Sequence, residues 1–202
     1  MSEPTTVGRV LRSSTTSFSI GCRQLISEQD QLIPEFGALV RADGKDGSLI
    51  YGLIYNVTIE DDAFVRQLVA AGVESAEIIE DQRQKRQVPI VVEVLVVGGG
   101  NGREMYYRLP AQPPTTLEQV CLCNGAEVRR FTERNDWLRT VLGNSDAPTD
   151  QLIVAALRSG AKARASDQER DAYLVAAGRE LAKLLALDLT RLDGILGQLK
   201  DR

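Results

Sequence analysis

The side chains on which most protein chemistry depends are scarce in this chain. It has 202 residues and no histidine. The Ser-His-Asp and Cys-His triads, the His-Glu-x-x-His zinc helix and the two-histidine iron site all require an imidazole, so they are excluded. Serine and threonine nucleophiles would lack a histidine base, and no Ser–Lys motif is visible. Cys22, Cys121 and Cys123 are the only thiols. Cys121 and Cys123 fall on the same face of a strand. A closed zinc site wants four ligands, so these cysteines read as small buried hydrophobes. The glycine run Gly98 to Gly102 is followed by Arg103 and Glu104, without the lysine and hydroxyl of a Walker loop. It is expected to form a hairpin loop. Glu60-Asp61-Asp62 reads as the acidic first turn of a helix. No catalytic residue, metal ligand or cofactor is expected.

Two basic clusters remain. Arg83, Lys85 and Arg86 lie in one polar loop, and Arg129 and Arg130 lie where the chain changes character. Either could meet a partner or a nucleic-acid backbone. Net charge argues against nucleic acid, because the chain carries −4 overall. Residues 1–130 are acidic and residues 131–202 are neutral. An aromatic fraction of 5% leaves little for single-strand stacking.

The elements that would position these residues divide near residue 130. Before it, short β-like runs alternate with turns: Val7–Leu11, Phe18–Gln24, Phe36–Ala42, Leu49–Val57, Val88–Val97, Met105–Leu109 and Glu118–Cys123. In the fourth run, Ile50, Gly52, Ile54 and Asn56 share one face, and Leu49, Tyr51, Leu53, Tyr55 and Val57 the other. A strand apolar on one side and small on the other suits a tightly curved small barrel. A helical insertion is expected near 61–84, with Gly72 as a stop. After Phe131 the period becomes 3.6. Helices are expected around Trp137–Leu142, around Asp150–Lys162, from a cap at Ser166 or Asp167 through Leu185, and around Leu189–Leu199, with Trp137 as the anchor between the two parts. The expected class is α+β: a closed barrel of six or seven strands in residues 1–130, then a helical region in 131–202.

The order of the short motifs is itself informative. Val7-Gly8-Arg9-Val10, Ser13-Ser14-Thr15 and Phe18-Ser19-Ile20 are followed by Phe36-Gly37-Ala38-Leu39-Val40 and Tyr51-Gly52-Leu53-Ile54. Later come Val92-Glu93-Val94-Leu95-Val96-Val97-Gly98 and Leu109-Pro110-Ala111-Gln112-Pro113-Pro114. Over residues 7–128 this resembles the HAS-barrel, the small barrel shared by HerA-type DNA-translocating ATPases and ATP synthase subunits. In the HerA-type ATPases a RecA-like motor with Walker motifs follows the barrel. Here helices follow and no Walker loop exists, so no ATPase residue carries over. The resemblance implies a barrel that mediates assembly, forming rings and meeting a partner nuclease.

The sequence therefore predicts a non-catalytic interaction module. Its partner would be an ATPase, a nuclease or further copies of itself. The alternative is a nucleic-acid-binding small barrel. No basic region precedes an apolar run at the N-terminus, and no run approaches the ~20 apolar residues of a membrane span. A cytoplasmic location without a membrane partner is expected.

Overall fold

The computed structural model describes residues 5–25, 35–45, 47–60, 66–67, 70, 72, 87–101 and 104–200. Seven strands are described: β1 (Thr6–Ser13), β2 (Ser17–Leu25), β3 (Leu39–Asp43), β4 (Leu49–Ile59), β5 (Gln87–Gly100), β6 (Met105–Tyr106) and β7 (Gln119–Leu122). Six of them close an antiparallel barrel in the order β2-β1-β7-β3-β4-β5, and β2 pairs with β5 to complete the ring. Strand β6 is a two-residue appendage on the end of β5. Five helices are described: α1 (Gly125–Phe131), α2 (Trp137–Leu142), α3 (Thr149–Lys162), α4 (Asp167–Leu184) and α5 (Leu189–Lys200). Most of the expected insertion at 61–84 lies outside the described residues.

Alternation along the strands separates two cores. Val10, Ile20, Val40, Ile54, Val92, Val94, Val96 and Val120 point inward and fill the barrel. β-branched residues dominate there because they pack well on a pleated, curved wall. The outward residues Leu39, Tyr51, Leu53, Leu95, Val97 and Cys123 join the helices in a second core. Trp137, Phe131, Leu152, Leu157 and Leu181 occupy that core and are almost fully buried. The barrel wall and the helices thus share one apolar layer. Burying a single large side chain there contributes ~1.5–3 kcal/mol.

Four details of the strands differ from the expectation, the first two being that β3 begins at Leu39 rather than Phe36 and that the return expected over Met105–Leu109 is a strand only at Met105–Tyr106. A β-bulge between Ile54 and Asn56 shifts the register of β4 against β5. An inserted residue reverses the alternation beyond it. Val57 therefore packs against the barrel interior, while Tyr55 still faces the helices. The glycines Gly98, Gly99 and Gly100 are not the hairpin loop; they extend β5 and pair with Tyr51, Ile50 and Leu49. Their missing side chains make room for Tyr106, whose ring occupies the place a Cβ of Gly99 would take.

The helices are fixed by local chemistry. Asn124 caps α1 by accepting from Glu127 N at 3.0 Å, and Glu127 Oε2 accepts from Asn124 N at 2.9 Å. Each satisfies an orphan donor of the first turn. Ser166 caps α4 by accepting from Glu169 N at 3.2 Å. Helix α3 is central: Leu152, Ile153, Val154, Ala156, Leu157 and Gly160 are buried. It comes so close to the barrel that Gly37, at φ 82°, has no room for a Cβ beside Ala155. Arg191 fastens α5 to the start of α3 by donating to Asp150 Oδ1 and Thr149 Oγ1, each at 2.8 Å.

Candidate interaction face

The helices cover only part of the barrel. Their core draws residues from β3, β4, β5 and the end of β7, and none from β1 or β2. Among the described residues no helix packs on the outer wall of β1 and β2. Its two halves differ in chemistry. Near the β1–β2 turn it is polar. There Arg12 donates to Glu93 Oε1 at 2.7 Å, and Ser19 is buried on the same strand pair. Ser14 organises the turn, accepting from Ser17 N at 3.0 Å and donating to Ser17 O at 3.0 Å.

The other half is apolar. Leu11 is 50% exposed and leans over Gly21, where a Cβ would come within 2.9 Å of its methyl group. The paired segment before β7 adds Leu117, 65% exposed. Leu117 N donates to Val10 O at 2.8 Å, so it attaches to the peptide that leads into Leu11. Its own carbonyl accepts from Arg9 Nη1 at 2.9 Å. These bonds hold Leu117 at φ 68°, the only positive φ of a non-glycine residue among the described residues. The left-handed region costs a side-chain-bearing residue ~1–2 kcal/mol. One exposed leucine is thus held in a strained backbone conformation, with its N–H bonded to the peptide that precedes the other. A groove of about 580 Å³ runs from Leu11 past Gly8, Gly21, Cys22, Ile90 and Val91, with Arg9 and Glu60 also on its lining.

The basic residues singled out in the sequence are not assembled into one patch by what is described. Arg83, Lys85 and Arg86 lie outside the described residues. Arg129 lies on α1, 3.5 Å from Glu169 on α4, and so joins two helices. Arg130 is partly buried and has an interaction of its own; its charge is felt at the Tyr51 hydroxyl. Glu127 has a third role besides the cap: its Oε1 lies 2.7 Å from Arg41 Nε, an ion pair without hydrogen-bond geometry. That contact joins β3 to α1 in a half-buried setting. Beside it, Cys121 and Cys123 are buried thiols, and burial pushes Cys123 up. A thiol raised in this way is a poor nucleophile. Among the described residues no group of three cysteine, aspartate or glutamate side chains is placed to hold a metal ion.

Sequence reasoning overlooked three features. Helix α1 was legible, since Asn124 precedes Glu127 by the three residues of a capping box. Leu117 was not, because nothing in its composition signals a positive φ. Nor was Arg164, which is only 8% exposed. It donates to Thr132 Oγ1 at 2.7 Å, to Thr132 O at 3.1 Å and to Gly160 O, and it lies 3.6 Å over the Tyr173 ring. It ties α1, α3 and α4 together, and burial lowers its pKa. No helix among the described residues is long and apolar enough to cross a membrane. No protein-family model and no curated protein matches the chain.

Proposed function

We propose that this protein is a non-catalytic docking and assembly module that meets its partner through the outer wall of β1 and β2. The observation that carries the reading is the pair Leu11 and Leu117. Both are exposed, they are joined through the Val10 carbonyl, and one is held in a strained backbone conformation. An apolar contact on a rigid wall loses little freedom on binding, so most of its burial appears as affinity. The helices serve as a buttress. The five described helices cover the opposite wall and leave this face uncovered.

The closed six-stranded antiparallel barrel is compatible with a HAS-barrel, and the motif order over residues 7–128 supports that assignment. On this reading the partner is a HerA-like ATPase, its nuclease or further copies of the chain. The Asp double variant Leu11→Asp/Leu117→Asp tests it. Tagged wild-type protein expressed in its native host is expected to co-purify with one stoichiometric partner or as a defined oligomer. The variant is expected to emerge alone with an unchanged circular-dichroism spectrum. A wild type that is strictly monomeric and unaccompanied would overturn the proposal.

A further inference from the structure

Helix α4 presents one side to the core and the other to solvent. Tyr173, Ala177 and Leu181 are buried. Asp171, Ala172, Val175, Ala176, Arg179 and Ala182 are exposed. Val175, 53% exposed, sits at the middle of the helix and of this outer side.

The charges on the outer side are ordered in a way that a lone helix disfavours. Asp167 and Asp171 are four residues apart, and so are Arg179 and Lys183. Residues at that spacing are neighbours on a helix, and like charges there repel. The helix dipole favours acids in the first turn and bases in the last, which accounts for Asp167 and Lys183. Those two also have partners within the helix: Asp167 meets Arg170 at 2.7 Å, and Lys183 meets Glu180 at 3.0 Å. Asp171 and Arg179 lie one turn further in, where the field of the helix ends has faded.

The order is symmetric about Val175. Asp171 and Arg179 stand four residues to either side of it, and Asp167 and Lys183 eight. Four residues advance a helix by one turn and about 40°, so all four charges fall on the side that carries Val175. Ala172, Ala176 and Ala182 lie among them, short enough for a second backbone to come close.

We propose that α4 is a homodimer face, packed antiparallel against α4 of a second copy about a two-fold axis at Val175. Such an axis brings together residues that lie equally far from it on opposite sides. Asp171 of each copy then meets Arg179 of the other, and Asp167 meets Lys183. Both repulsive pairs within the helix become parts of attractive pairs between helices, and the two Val175 side chains bury each other. An in-register parallel pairing would set acid against acid, so the charge order selects the antiparallel one. Each half of the face is the complement of the other half, which is what a second copy supplies. The face is separate from the leucine wall and the inference does not rest on it.

Sedimentation equilibrium of the purified full chain is expected to show a monomer–dimer equilibrium, and the Leu11→Asp/Leu117→Asp variant is expected to keep it. Arg179→Asp sets acid against acid across the axis, and the dissociation constant is expected to rise about tenfold or more. The swap Asp171→Arg/Arg179→Asp puts opposite charges back across the axis and is expected to restore the dimer. These side chains are exposed, so circular dichroism should be unchanged. In a Cys22→Ser background, Val175→Cys is expected to give a disulfide-linked dimer on mild oxidation. Gln168→Cys is expected to give none, because its two copies would lie about 20 Å apart along the axis of the helices. A wild type that is monomeric at every concentration, an Arg179→Asp variant that dimerises as tightly as wild type, or a charge swap that stays monomeric overturns the proposal. Equal crosslinking from positions 168 and 175 overturns it as well.

Discussion

Replacing Phe131 by alanine should unsettle the barrel and the helices together. Phe131 is 1% exposed at the end of α1. Its ring lies 5.3 Å from that of Tyr51 on β4 and 5.2 Å from that of Tyr107, measured between centroids. Its carbonyl accepts from the Tyr107 hydroxyl at 2.8 Å. A buried Phe→Ala change costs ~3–5 kcal/mol. Two lost ring pairs, each ~0.5–1.5 kcal/mol, place this site toward the upper end. For a chain of this size each kcal/mol moves the midpoint ~2–4 °C, so a loss of about 4 kcal/mol lowers Tm by roughly 8–16 °C. Thermal unfolding should be followed by Trp137 fluorescence, which reports on α2, and by far-ultraviolet circular dichroism. The two curves should coincide and shift together, because one apolar layer joins wall and helices. A shift below about 3 °C would refute the packing argument. Early loss of the Trp137 signal above an intact strand spectrum would refute the shared apolar layer.

Other consequences follow from local geometry. Leu117→Gly relieves the left-handed strain of ~1–2 kcal/mol but adds chain entropy and loses a little packing; urea unfolding should place it within about 1 kcal/mol of wild type, while partner binding falls. A much larger destabilisation would mean that Leu117 serves the fold rather than the contact. Tyr51 and Tyr173 are pushed up to about 12, chiefly by burial. Their neutral forms favour the folded state, so this stability is complete below the unfolded value near pH ~10 and is lost as pH rises through about 12. Tyrosinate absorbance should show part of the native tyrosines ionising late; all of them ionising near pH ~10 in folded protein would contradict it. Burial also raises the Cys22 and Cys123 thiols. A neutral disulfide reagent should therefore label native protein slowly and at Cys22 first, and rapid labelling of Cys123, read by mass spectrometry, would count against the buried placement. Glu127→Ala removes the capping box and the ion pair to Arg41, and chemical denaturation should show a loss of ~1–2 kcal/mol.

The fold was legible where one periodicity held over a whole element. Val88–Val97 announced β5 by its β-branched run, and the 3.6-residue repeat announced α3 and α4. Legibility failed where a single residue changed the phase. The bulge after Ile54 moved Val57 to the barrel interior, and no residue type there marks a bulge. Gly98–Gly100 looked like a turn because glycine is a turn former. In the barrel they are strand residues whose bareness admits Tyr106, a partner that only the folded chain supplies. The leucine wall was hidden for a related reason. Leu11 and Leu117 are distant in sequence, and their exposure depends on which walls the helices cover.

The central claim is that the β1–β2 wall is a protein-docking face, and site-specific photocrosslinking tests it most directly. A photoreactive phenylalanine analogue is placed at Leu117, at Leu11 and, as a control, at exposed Lys162 on α3, and each protein is irradiated in the native host. The account predicts a discrete protein adduct from positions 117 and 11 and none from 162. No adduct at 117 and 11, or the same adduct from all three positions, would contradict it.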